Sequence, residues 1–209
     1  MSRLDRRTRA ARAQARDGRE ALLAAAERVF ARRGYRDASV DEIAGEAGFS
    51  KGAVYWHFAG KEDLFFALVD ERIDRPVREA IAELESAPPG EDMAERASAL
   101  FAGLLRRRRE LFLLDREYWS LAMRDPRLCT RYAARQRDLR RALAAALRAR
   151  VEHLGRPIAD VPLEEIATAL LGLAHGLTHD RLVDPDAVPE HILGDTFALI
   201  YAGLVARAS

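Results

Sequence analysis

Residues 34–64 read GYRDASVDEIAGEAGFSKGAVYWHFAGKEDL, and this stretch decides the fold. Ser39-Val40-Asp41-Glu42 has the Ser-x-x-Glu spacing of a capping box, in which side chains satisfy two otherwise orphaned amides at a helix start. Val40, Ile43, Ala44 and Ala47 then fall on one inward face. Gly48 ends that helix after about two turns. Ser50 offers a fresh N-cap, so a further helix is predicted over 51–57, with Val54 inward and Phe58 just past its end. Two short helices joined by a tight, glycine-bearing turn have helix-turn-helix spacing.

Upstream, Asp17 and Glu20 make a capping-box-like start. Leu22, Ala26, Val29 and Phe30 recur at helical spacing, and Gly34 stands where a C-terminal glycine ends a helix, giving a first helix over about 18–33. Residues 1–16 hold six arginines without apolar periodicity and are expected to form a disordered basic arm. Downstream, a helix begins near Lys61 with Leu64, Phe65, Leu68 and Val69 apolar. Pro76 is expected to kink or break it, because proline lacks an amide donor and pushes Arg75 out of the helical region. Residues 86–90, Ser-Ala-Pro-Pro-Gly, read as a linker. Helices are predicted over 91–109, 110–124, from Pro126 to about His153 before Gly155, from Leu163 to about Val183, and over about 187–207.

The chain has 209 residues, of which 49% are apolar and 32% charged, which suits a folded globular protein. It is rich in strong helix formers and lacks alternating β-branched runs, so the fold class is all-α. The expected organisation is an arm over 1–16, a three-helix DNA-binding domain with helix-turn-helix over 17–61, and a larger helical bundle over 62–209. No apolar run approaches the ~20 residues of a membrane span, and residues 1–16 lack the apolar core of a secretory signal. With a single cysteine, Cys129, no intramolecular disulfide is expected, and a cytoplasmic location is. The net charge of +1 hides an asymmetry: residues 1–61 carry +5 and residues 62–209 carry −4. An anionic partner should therefore prefer the N-terminal part.

The segment 51–57 is too short and too polar for a core helix. Lys51, Tyr55, Trp56 and His57 offer donors and flat rings, Gly52 lets a surface approach the backbone, and the helix start at Ser50 presents free amides suited to phosphate. The only lysines, Lys51 and Lys61, stand against 32 arginines. Ile43, Val54, Phe58 and Phe30 are predicted core.

In order along 34–64, Gly34, Tyr35, Ser39, Ile43, Ala44, Ala47, Gly48, Ser50, Val54, Tyr55, His57, Phe58, Lys61 and Leu64 match a known pattern. The stretch resembles the DNA-binding motif of the tetracycline-repressor (TetR) family along its whole length. The resemblance implies that Lys51, Gly52 and Ala53 face base edges in the major groove. It implies that Tyr55, His57 and Lys61 touch phosphates, that Trp56 packs on sugar or a thymine methyl, and that Ser39 and Val40 lie near the backbone. Asp41 departs from helpful charge at a position that often approaches DNA. Residues 114–128, LDREYWSLAMRDPRL, and 176–185, GLTHDRLVDP, resemble the choline/betaine-repressor type of C-terminal domain, which does not name a ligand.

The family likeness further implies a homodimer formed by the last two helices. Leu163, Ile166, Leu170, Leu173 and Leu177 line one of them, with Gly172 and Gly176 allowing close approach; Leu193, Phe197, Ile200 and Leu204 line the other. Alternatively, these stripes serve only the intrachain core. Candidate effector-pocket residues are Phe101, Leu105, Tyr118, Trp119, Met123 and His175. His175 and His179 stand one turn apart, a spacing that can bind zinc, although dimer-face or pocket histidines suit them better. No metal or cofactor is expected. No phosphate loop or nucleophile elbow is present, so an enzyme is not expected. The partners implied are a palindromic double-stranded DNA operator, a second copy of the chain and a small-molecule effector of unknown identity. The competing readings are a helical sensor without operator binding and a regulator that activates.

Overall fold

The computed structural model describes the backbone of residues 3–88, 91–107, 109–153 and 161–207; among these, the side chains of 3–14, Ala94, Phe101, 104–107 and Arg207 lie outside the description. The described residues are helix and turn throughout, in agreement with an all-α class. In order they are α1 (Arg3–Asp37), α2 (Val40–Ala47), α3 (Lys51–His57), α4 (Lys61–Val69), a π-helical turn (Asp70–Asp74), α5 (Arg75–Glu85), α6 (Met93–Arg107), α7 (Arg109–Ala122), α8 (Pro126–His153), α9 (Leu163–Val183) and α10 (Ile192–Arg207). No described helix is long and apolar enough to cross a membrane.

Two boundaries differ from expectation for physical reasons. Residues 3–16, expected as a disordered arm, continue α1 as helix. Their Arg, Ala and Gln content favours helix and no glycine or proline interrupts them. Near Pro76 the expected interruption takes the form of a π-helical turn at Asp70–Asp74, after which α5 begins with the proline in its first turn. The wider turn accommodates a residue that has no amide to donate and whose ring crowds the carbonyl four residues back. The last helix starts at Ile192 rather than near 187, because Pro189 disfavours helical geometry at Val188. Gly155, Pro89 and Gly90 fall outside the described residues.

The chain forms two compact units. The first comprises residues 1–73 together with 110–121; the second comprises 74–109 with 122–209. The expected boundary after residue 61 therefore moves, and most of α7 joins the N-terminal unit. The reason is aromatic packing. Tyr118 of α7, fully buried, stacks on Phe65 at 4.4 Å between ring centres and meets Tyr35 and Phe66 edge-on at 5.1 and 5.0 Å. Phe30 of α1 completes the cluster against Phe65. Edge-to-face pairs of this kind add to the burial of apolar area. Leu22, Leu23, Val29, Ile43, Val54, Leu64 and Leu68 fill the rest of this unit's core.

In the second unit α5 packs on α8, α8 on α9, and α6 on α10. Ile81, Leu143, Leu147, Leu163, Ala167, Leu170, Phe197 and Leu204 form its core. A buried ion pair joins Asp74, at the start of this unit, to Arg135 of α8 at 2.7 Å. Replacing Tyr118 with alanine should cost the protein about 3–5 kcal/mol in a urea titration. A loss below about 1 kcal/mol would show that Tyr118 is not core.

Candidate nucleic-acid interface

Helix α2 starts on the predicted capping box. The Glu42 amide donates to Ser39 Oγ at 3.1 Å, and the Ser39 amide donates to Glu42 Oε2 at 3.3 Å. Gly48 closes it in the left-handed region, φ 72° and ψ 24°, where glycine has no Cβ penalty. Ser50 then caps α3 by accepting from the Ala53 amide at 3.3 Å. Val54 is fully buried, and Phe58 follows it into the core. The remaining α3 positions face outward: Lys51 and Gly52 are exposed, Tyr55 is 50% exposed and Trp56 is 71% exposed.

Ser39 and Ser50 are caps at exposed helix starts, and Val40 is half-buried at the first turn of α2. Ala53 is half-buried on α3. Lys51 donates to Asp41 Oδ2 at 3.0 Å, and this carboxylate raises the lysine's pKa above its ordinary value. His57 is half-buried, with Nε2 3.3 Å from where a Cβ on Gly18 of α1 would lie. Glycine at 18 thus lets the two helices meet there. Burial, helped by the nearby Arg19 cation, pushes the His57 pKa below its ordinary 6.5.

Lys61 departs from its expected role. Its Nζ donates to the carbonyls of Tyr35, Arg36 and Ala38, all at 2.9 Å, which engages all three ammonium hydrogens. It also lies over the Tyr35 ring at 4.8 Å. Burial lowers its pKa, opposed by the carboxylates of Asp37 and Glu117. Lys61 thus closes the end of α1 rather than offering a free ammonium to phosphate.

A second elbow contact was not legible in the sequence. Glu117 of α7 accepts from the Tyr35 amide at 2.9 Å and from the Arg36 amide at 3.1 Å. The partners lie 82 and 81 residues apart, so no local pattern announces them. Glu46 of α2 is held by Arg28 at 2.8 Å and Arg32 at 2.7 Å of α1, which lowers its pKa. Arg72 pairs with Glu20 and Glu27, fastening the π-helical turn to α1.

The candidate effector pocket needs correction. Tyr118 is aromatic core of the first unit, and Trp119 and Met123 are 42% and 52% exposed. Their helical spacing reports width, not direction. His175 is half-buried, and the side chains of Phe101 and Leu105 lie outside the described residues. A cavity in the second unit, of about 10 Å³, is instead lined by Leu84, Met93, Leu147, Arg150, Phe197 and Tyr201. That volume suits a single water. Arg150, buried beside it, donates to the carbonyls of Ala87 and Pro88 and to the Tyr201 hydroxyl.

The expected dimer stripe also divides. Leu163, Leu170, Phe197 and Leu204 are buried within their own unit, because α9 turns them toward α8 and α10 turns them toward α6. Ile166, Leu173, Leu177, Leu193 and Ile200 remain half-exposed. The outward face of α9 carries Ala169, Gly172, Gly176 and Val183, and that of α10 carries Leu199, 75% exposed, with Ala202 and Gly203. His179 is also exposed, and the described residues contain no group of three or more metal-ligating side chains.

Comparison with known proteins agrees with this geometry. A model of the tetR family of bacterial regulatory proteins matches residues 22–68, and one of the BetI-type transcriptional repressor C-terminal domain matches residues 99–196. The HTH-type transcriptional repressor AcnR of Corynebacterium diphtheriae is 34% identical over 153 residues, spanning 73% of this chain and 74% of AcnR. The chain belongs to the TetR family. It is a helix-turn-helix transcriptional regulator. Another TetR-family relative, the regulator TtgR of Pseudomonas putida, is 29% identical and spans 91% of both chains. Among solved structures, a TetR-family regulator from Mesorhizobium loti shares the fold with a TM-score of 0.69 at 22% identity, over 92% of this chain and 96% of that one. SmeT of Stenotrophomonas maltophilia, described as the repressor of a multidrug efflux pump, aligns with a TM-score of 0.59 at 25% identity, over 87% and 86%.

Two outcomes follow from the site's electrostatics. Asp41→Asn should raise affinity for random duplex DNA about two- to fivefold, the scale of an exposed ion pair of up to ~1 kcal/mol; unchanged affinity in a filter-binding titration would show that Asp41 does not shield Lys51. The folded state holds the His57 proton less readily than the unfolded chain. Stability is therefore full above pH 6.5 and is lost as pH falls below it. His57→Gln should flatten that part of a stability-against-pH curve, and an unaltered curve would contradict the assignment.

Proposed function

We propose that the protein is a homodimeric repressor that occupies a palindromic operator through α3 and leaves it when a small molecule binds the second unit. The observation that carries this reading is the outward face of α3. A capped, seven-residue helix presents Lys51, Gly52, Tyr55 and Trp56 to solvent while Val54 anchors it from within. Lys51, Gly52 and Ala53 at its start would meet base edges, and Tyr55 with the α3 amides near Ser50 would meet phosphate. Trp56 would pack on sugar or a thymine methyl. Ser39 and Val40, at the start of α2, would lie along the backbone. His57 and Lys61 would support the surface from behind.

A single α3 reads only a few base pairs. Two copies set about 34–36 Å apart would read two half-sites one helical turn apart. The family models and the names of AcnR and SmeT support a repressor. The second unit provides the copy-to-copy surface: the small residues of α9 and Leu199 of α10 face outward, so two such pairs could close into a four-helix bundle. An effector would act by favouring a form of the dimer with different α3 spacing, shifting the population only by its differential affinity.

Selecting bound duplexes from a random pool, then titrating the winner against salt, tests the reading. A dimer with several phosphate contacts should lose at least about tenfold in affinity from low to moderate salt. No selected sequence, or salt-insensitive binding, would defeat it. Leu199→Glu should leave the helical content intact, halve the mass measured by sedimentation and weaken operator binding at least about tenfold. A dimer of unchanged stability would move the interface elsewhere.

A further inference from the structure

We propose that Glu117 is the positioning residue that fixes the helix-turn-helix in its DNA-reading orientation. Helix α1 kinks at Gly34, its last residues run on to Asp37, and Ser39 then caps α2, so residues 34–38 form an elbow between the long run of α1 and α2. Gly34 takes φ 73° and ψ 173°, which ends the regular run of α1 and turns the next two amides outward. Both amides, from Tyr35 and Arg36, point at the Glu117 carboxylate. A Cβ on Gly34 would lie 2.8 Å from Glu117 Oε2, so glycine there serves the backbone turn and the approach of the carboxylate alike. The carbonyls of the same elbow go to Lys61. An anion holds the amides and a cation holds the carbonyls, so the elbow is gripped from both sides.

Glu117 is the half of this grip that comes from afar. Lys61 is close in sequence and belongs to the motif itself. Glu117 belongs to α7, a segment that packs within the first unit while the chain on either side of it belongs to the second. Anything that shifts α7 along its axis moves the carboxylate relative to the Tyr35 and Arg36 amides, and the next residues along the chain open α2 and α3. Charge-assisted bonds to two successive amides demand a defined direction of approach, which a purely apolar contact would not. Tyr118, next in sequence, locks the same helix into the aromatic cluster and limits its freedom to slide.

The inference rests on the DNA-binding function. Glu117→Ala, with Glu117→Gln beside it to keep the side-chain volume and one acceptor, is titrated with the selected operator at several salt concentrations. Loss of the clamp lowers the fraction of protein in the reading orientation, so apparent affinity should fall at least about tenfold for alanine and less for glutamine. The contacts made once bound are unchanged, so the slope of log affinity against log salt should match wild type, whereas Lys51→Ala should make it shallower. In hydrogen exchange the Tyr35 and Arg36 amides of the alanine variant should exchange at least tenfold faster, with Val29 unaffected. Wild-type affinity in both variants, a slope reduced as in Lys51→Ala, or unchanged exchange at Tyr35 and Arg36 would overturn the proposal. Wild-type protein that selects no operator would defeat the reading of function instead, and the exchange measurement would still decide the clamp.

Discussion

A seven-residue helix does not hold itself together in water, because the cost of nucleation exceeds what two turns of hydrogen bonds return. Helix α3 is such a helix, and one buried side chain, Val54, ties it to the core. The surrounding structure stabilises it from outside. Ser50 fixes its first turn, the left-handed Gly48 fixes the turn before it, and the capping box at Ser39 fixes the helix before that. Each cap contributes about 0.5–2 kcal/mol. The surface they preserve is polar and aromatic, with Tyr55 and Trp56 exposed.

That dependence runs back to the elbow at residues 34–38. The direction in which α2 leaves α1 sets the direction of α3, and the elbow's backbone groups are engaged by side chains rather than by helix. Lys61 takes three carbonyls and Glu117 takes two amides. The arrangement explains why α7 folds into the first unit. It brings a carboxylate to the amides of Tyr35 and Arg36, and it brings Tyr118 to fill the space among Tyr35, Phe65 and Phe66. The fold thus builds part of its DNA-reading unit from sequence beyond residue 100.

Much of this was legible in the chain. The Ser39–Glu42 box, the glycines at 34 and 48, the cap at Ser50 and the inward Val54 all act at short range, and short-range chemistry is what periodicity and spacing report. The helix ends around Pro126, Leu163 and Val183 were legible for the same reason. What escaped was direction. A leucine stripe says that a helix buries a face, but α9 and α10 each meet partners of their own chain first, so Leu163, Leu170, Phe197 and Leu204 went inward and Leu199 was left outside. Tyr118 and Trp119 are adjacent on α7 yet one is core and the other surface, and Met123, just past its end, is exposed too. Pro76 was read as a kink or a break, and the interruption falls just before it, as a π-helical turn that leaves the proline in the first turn of α5. Lys61 was read as a phosphate contact from the family resemblance, while its three carbonyl partners lie at least 23 residues back.

The claim on which the account turns is that Trp56, most exposed of the α3 side chains, enters the DNA interface. The chain has two tryptophans, so Trp119→Phe leaves Trp56 as the sole reporter. Titrating that variant with the selected operator should change the Trp56 emission and reach saturation at one protein dimer per site, with the change reversed by added salt as the complex dissociates. Tight, saturable operator binding with Trp56 emission unaltered in intensity and wavelength would place the interface somewhere other than α3.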